Sequence, residues 1–205
     1  MRFRFAAFIL GLSAVVQAGT ITVLGTSEPW DPSLNPSYSF TDTNATAPSV
    51  YAVTAGTDIT IEWLSAGGLD TTSTVLGYVD ANGYPAYEWD STPLGPGDVP
   101  ADSVPTTPVY LQEVLGDFTN SSGVIVPGSL PFVVGDGPVM EIVPTGATQL
   151  QLGINDDFWI DNGGSLEFSI TSNGTVSGVP EPGTAALVGS VLLLGISFSR
   201  LRRRA

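Results

Sequence analysis

The sequence predicts an all-β protein, an antiparallel β-sandwich of jelly-roll type, and three observations lead there. Apolar residues between positions 19 and 178 recur with period two instead of 3.6. The alternating stretches are short and are separated by Gly, Pro, Asn and Asp, the residues that turn a chain. No amphipathic helical pattern interrupts them, and short strands divided by turns are the signature of sandwiches and barrels.

Taken in order, the first strand is expected over Thr20 to Leu24 and the second over Val50 to Thr54, both rich in β-branched residues. In Asp58 to Trp63, Ile59, Ile61 and Trp63 alternate with Asp58, Thr60 and Glu62, the pattern of a half-buried strand. Val75 to Asp80, Val109 to Leu115, Leu130 to Val134 and Val139 to Val143 follow as further strands. Gln149 to Ile154 alternates Leu150, Leu152 and Ile154 against Gln149, Gln151 and Gly153, and Leu166, Phe168 and Ile170 alternate against Glu167, Ser169 and Thr171. That makes about nine strands. Between Pro85 and Pro108 proline is dense enough to predict an ordered surface loop. Tyr84, Tyr87 and Trp89 lie there with Glu88 and Asp90, an aromatic and acidic cluster suited either to docking the loop or to gripping carbohydrate.

Charge is distributed in blocks. All six basic residues (Arg2, Arg4, Arg200, Arg202, Arg203, Arg204) stand at the two ends, and all 20 acidic residues lie between them. The body therefore repels phosphate backbones, which argues against nucleic-acid binding, and attracts divalent cations. With no internal Lys or Arg ion pair available, it should be more stable in salt or calcium than in chelator at low ionic strength. The same acidity also suits a protein that needs only to stay soluble. The absence of cysteine excludes a disulfide framework and thiol chemistry.

Both ends read as targeting segments. Arg2 and Arg4 precede an apolar stretch from Phe5 to Val16, and Val16-Gln17-Ala18 offers small residues to signal peptidase, so residues 1–18 are expected to be a signal peptide cut between Ala18 and Gly19. A β-sandwich domain over 19–171 and a flexible spacer over 172–178 follow. At the far end Pro180, Glu181 and Pro182 form a stiff, extended triplet that an enzyme can grip as a strand. An apolar run from Thr184 to Phe198 comes next, about 22 Å long as a helix, and a short transmembrane helix over 184–199 is expected. Arg200, Arg202, Arg203 and Arg204 should hold the tail on the cytoplasmic side.

This order of triplet, apolar span and arginine tail over 179–205 resembles the PEP-CTERM sorting signal. The resemblance implies processing by an exosortase-type enzyme, an inner-membrane anchored precursor, and a mature form at the cell surface or outside the cell. An uncut C-terminal anchor is the plainer alternative.

The best candidate binding site lies between the last two expected strands, in Asn155-Asp156-Asp157-Phe158-Trp159-Ile160-Asp161-Asn162-Gly163-Gly164-Ser165. Oxygen-bearing side chains with glycines to turn the backbone can converge on a hard cation such as calcium, and the same composition also makes an ordinary Asx and glycine turn. From Gly56-Thr57-Asp58-Ile59-Thr60-Ile61 through Val114-Leu115-Gly116-Asp117 to Ala147–Asp156 and Asp161–Leu166, the chain resembles the calcium-dependent galactose-binding bacterial lectins, whose fold is a galactose-binding-like jelly roll. The resemblance implies that Asp156, Asp161 and Asn162 hold calcium, with a backbone carbonyl near Trp159, and that a sugar completes the coordination. The loop is shorter than the family's, Asp161 stands in place of an asparagine and Gly163 in place of a serine, so sugar specificity does not carry over. Phe158 and Trp159 could stack on a sugar ring or fold back to cap the sandwich.

Three sequons, at Asn44, Asn120 and Asn173, are read as chance matches. Catalysis finds little support. The chain has no His, Cys or Lys, and its body has no Arg, so nucleophile–base dyads, Schiff-base lysines and arginine clamps are all unavailable. Two non-enzymatic readings remain open: a binding module for calcium and extracellular polysaccharide, and an acidic structural component of an envelope or biofilm matrix without a specific ligand.

Overall fold

A computed structural model describes residues 15–41, 44–71, 78–88, 100–103 and 109–174. Val16–Gly174 forms one unit. Ten strands are present among the described residues: β1 (Val15–Leu24), β2 (Ser49–Ala52), β3 (Asp58–Thr71), β4 (Tyr84–Glu88), β5 (Tyr110–Leu111), β6 (Val114–Thr119), β7 (Phe132–Val133), β8 (Val139–Ile142), β9 (Gln149–Ile154) and β10 (Asn162–Gly174). They build two four-stranded sheets, ordered β1-β10-β3-β8 and β2-β9-β6-β7, and a small β4-β5 ribbon. The pairs β3–β10, β3–β8, β2–β9, β6–β9 and β6–β7 all run antiparallel. The fold is all-β and sandwich-like.

Alternation puts one face of each sheet against the other. Ile21 and Val23 of β1, Ile59 and Ile61 of β3, and Leu166, Phe168 and Ile170 of β10 meet Val114 and Phe118 of β6 and Leu150, Leu152 and Ile154 of β9 in one buried cluster. Removing a side chain such as Phe168 or Leu152 from this cluster exposes the surface it buries and leaves a void, which is why such positions typically carry several kcal/mol each, about 2–5.

The second sheet is buried on its other face as well. A separate cluster of Trp30, Phe40, Ala101, Val109, Leu115, Ile125 and Trp159 covers it, and every residue of β6 is buried. The cover lies close at Gly153, where a β-carbon would collide with the Glu28 carbonyl, so the segment after β1 crosses directly over β9. This double burial explains why β6 was not read to its full length. The expected strand ends at Leu115, and the tertiary cover carries it on through Gly116 and Asp117 to Thr119.

Other expectations shift for local reasons. The single strand expected over Val109–Leu115 divides into β5 and β6, because Gln112 adopts a left-handed conformation with φ 61°. β3 continues past Trp63 to Thr71 by pairing with β10 through an irregularity between Leu166 and Phe168. Ser65 (φ 54°) and Gly67 (φ 89°) absorb the extra residues there. At Gly67 a β-carbon would collide with the Ser165 carbonyl, so only glycine fits. Val79 pairs with Leu69 through two backbone hydrogen bonds of 3.0 and 2.9 Å, while residues 72–77 of that expected strand lie outside the described residues.

Of the proline-rich segment, Tyr84–Glu88 is strand and Pro100–Ser103 is a 3-10 turn. Tyr84 and Ala101 are buried, and Trp89 lies outside the described residues. β10 runs to Gly174, so Ser172 to Gly174, expected at the start of the spacer, are paired strand residues or the strand's end. Ala18 and Gly19 lie within β1. Among the described residues no helix is long and apolar enough to cross a membrane. The expected helix over 184–199, Pro180, Glu181, Pro182, the arginine tail and most of the expected signal peptide lie outside the described residues.

Candidate functional site

The connection between β9 and β10 is a tight turn, held by its own side chains. Asp156 follows β9 and is buried, with 4 % of its surface exposed. Its Oδ1 accepts hydrogen bonds from the backbone N–H groups of Asp157 (2.7 Å) and Phe158 (2.9 Å), the geometry of an Asx turn. A single 3-10 turn, Trp159–Asp161, then leads directly into Asn162 at the start of β10.

Asn162 closes the turn. Its Nδ2 donates to Asp156 Oδ2 (2.8 Å) and to the Gly25 carbonyl (2.9 Å), so two oxygens from different parts of the chain converge on one nitrogen. Its Oδ1 accepts from Gln112 Nε2 at 2.6 Å. Gln112 is wholly buried, and its Oε1 is buried without a hydrogen-bond partner. Next to this network, the Asn155 side chain accepts from Ala101 N–H (2.9 Å) and donates to the Tyr110 carbonyl (3.1 Å), while its backbone carbonyl accepts from Gln112 N–H (2.7 Å). The ends of β1, β9 and β10, the β5–β6 turn and the proline-rich segment are thus tied at one point.

Electrostatics follow from this burial. Desolvation pushes the Asp156 carboxyl above its ordinary value, and the hydrogen bonds from Phe158, Asn162 and Asp157 pull partly against that rise. Asp161, mostly outside the network, is raised as well, first by desolvation and then by the negative charge of Asp156. The two carboxyls therefore sense each other, with no basic side chain in the body to neutralise them.

Asp156, Asp161 and Asn162 are accordingly brought to one place, Asp156 and Asn162 in direct contact and Asp161 at the partly exposed rim. The two aromatics separate. Phe158 is 47 % exposed, whereas Trp159 is fully buried against Phe40, with ring centroids 5.5 Å apart. Of the two uses left open for Trp159, the structure shows its ring folded back into the core over the second sheet.

Gln112 and Gly25 were missed by sequence reasoning. The only trace of Gln112 was a polar Gln-Glu pair inside an apolar run, and a backbone carbonyl such as that of Gly25 leaves no trace at all. Among the described residues, no group of three or more acidic residues is close enough to hold a metal by itself. Any ion here would need amide and carbonyl oxygens as well as Asp156 and Asp161. No family model matches the chain, and neither a curated protein nor a solved structure matches it.

Proposed function

We propose that this chain is an exported protein of the cell surface or extracellular matrix, sorted through the segment over 179–205, with a non-catalytic β-sandwich domain that binds calcium and, through it, carbohydrate. Within this reading the domain is a galactose-binding-like jelly roll, and the sorting segment anchors the precursor in the membrane until an exosortase-type enzyme cuts it. Signal peptidase acts between Ala18 and Gly19.

The observation that supports the ligand half is the convergence of oxygens on the Asn162 amide, with the partnerless Gln112 Oε1 beside it. Those donors suit a hard cation, and Asp156, Asp161 and Asn162 would hold it. A bound calcium would supply positive charge to which sugar hydroxyls can coordinate. Around it, this chain's residues exclude water by burial and fix the Asp156 carboxylate through the Asp157 and Phe158 N–H groups.

The test is calorimetric titration of the protein with calcium, followed by a glycan array read in calcium and in chelator. Saturable heat that disappears in Asp156→Ala and Asp161→Ala, together with calcium-dependent glycan signal, is the expected result; no heat and no signal would sink the binding module. The second reading, an acidic structural matrix component without a ligand, is favoured by one observation: the Asp156 carboxylate already accepts three hydrogen bonds within the protein.

A further inference from the structure

On the covered face of the second sheet lies a buried carboxylate that no hydrogen bond accounts for. In β6, Val114 and Phe118 point into the main core while Leu115 belongs to the cluster on the opposite face, so alternation puts Asp117 and Thr119 on that covered side. Gln151 of β9 is the direct cross-strand partner of Asp117. Its neighbours Leu150 and Leu152 fill the main core, so Gln151 shares the face of Asp117.

Asp117 has no exposed surface, and both its carboxylate oxygens are buried without a partner. Gln151 Oε1 is also buried without a partner. Three acceptors therefore meet no donor, on a face that the Asn120–Ile125 turn approaches: a β-carbon at Gly123 would lie 3.5 Å from Gln151 Nε2, and Ile125 belongs to the cluster over this sheet. Asn35 pins that turn by accepting from Ile125 N–H (2.8 Å) and donating to the Gly123 carbonyl (3.1 Å). Thr119 Oγ1 spends its proton on Gln149 Oε1 (3.2 Å), leaving its own oxygen lone pairs available.

A buried carboxylate without donors or a counter-charge is strongly unfavourable, and the body of this chain contains no Lys, Arg or His to supply one. A proton on Asp117 would neutralise the charge and could be donated to Gln151 Oε1, but it would still leave the second carboxyl oxygen without a donor. We propose that Asp117 and Gln151 bind a hard, oxygen-seeking cation between β6 and its covering turn, at a site separate from the β9–β10 connection and with calcium as the probe ion. Burial pushes the Asp117 carboxyl well above its ordinary value, because desolvation disfavours the charged form. The cation would fasten the cover segment to the sheet, a structural role.

The experiment counts calcium per chain by elemental mass spectrometry after loading and desalting full-length protein in mild detergent, for the wild type, Asp117→Asn and Asp156→Ala. Asp117→Asn is expected to carry one ion fewer than the wild type, and Asp156→Ala to keep that ion whatever happens at its own site. Equal counts in the wild type and Asp117→Asn, or a wild type that holds no calcium, would overturn the proposal. Should Asp117→Asn not fold, Gln151→Glu decides: a second carboxylate is expected to tighten calcium binding about tenfold, and unchanged or weaker binding rejects the site.

Discussion

Asn162 makes three side-chain hydrogen bonds where the ends of β1, β9 and β10 meet, and Asp161 beside it makes none of these. Substituting Asn162 by Ala would leave Asp156 Oδ2, the Gly25 carbonyl and Gln112 Nε2 buried and unpaired, an expected loss of about 2–3 kcal/mol. Asp161→Ala, at the partly exposed rim, should change stability by no more than about 0.5 kcal/mol in calcium-free buffer. Urea unfolding of both variants measures the contrast, and equal losses would mean that the network is not what holds the turn. Asp117 makes a pH prediction. Its carboxyl is raised above the ordinary 3.8, so the folded protein keeps a proton that the unfolded chain gives up. Stability is then fully present below the unfolded value and is lost as pH rises toward the raised one. In chelator the wild type should lose stability more steeply than Asp117→Asn as pH rises above the ordinary carboxylate range, read as melting temperature at each pH, and calcium should flatten the wild-type slope.

At the scale of elements, β3 and β10 form the longest pairing, from Asn162 opposite Thr71 to Asn173 opposite Asp58. Only parts of it were legible: alternation in Asp58–Trp63 and in Leu166–Thr171 marked the regular half, whereas the stretch from Leu64 to Thr71 fell outside the expected strand. The strand continues because β10 supplies partners across the bulge, and Gly67 lets the two backbones approach. Gly67→Ala is expected to lose about 1–3 kcal/mol through its left-handed backbone and its collision with Ser165. Thermal melting checks this, and a neutral result would remove Gly67 as the hinge of the bulge. β9 was legible end to end because its polar residues alternate faithfully, although Gln151 turns out to be covered and not solvated. Tyr84 illustrates the reverse: it sits in a loop by composition and is buried in the β4–β5 ribbon by topology.

Across the whole molecule, the separation of charge is the dominant fact: arginines at the ends and carboxylates throughout the body. Under the proposed function this is a division of labour, the ends directing traffic and the body meeting cations outside. The double substitution Pro180→Ala with Glu181→Ala should leave the protein in the membrane fraction as its full-length form, uncut at the C-terminal signal. Immunoblotting of membrane and extracellular fractions reads the outcome, and normal maturation of the double variant would reject the sorting signal. The sequence by itself determined the all-β class, the strands with clean alternation, the charge segregation and the presence of Asp156, Asp161 and Asn162 in one connection, because each of these is written in local spacing and composition. Only the tertiary structure decided that Trp159 is core, that Gln112 and Gly25 complete the polar network, and that Asp117 and Gln151 face each other under a cover. Those outcomes depend on which distant segment lies over a strand, and burial by a distant segment leaves no periodic mark in the residues it covers.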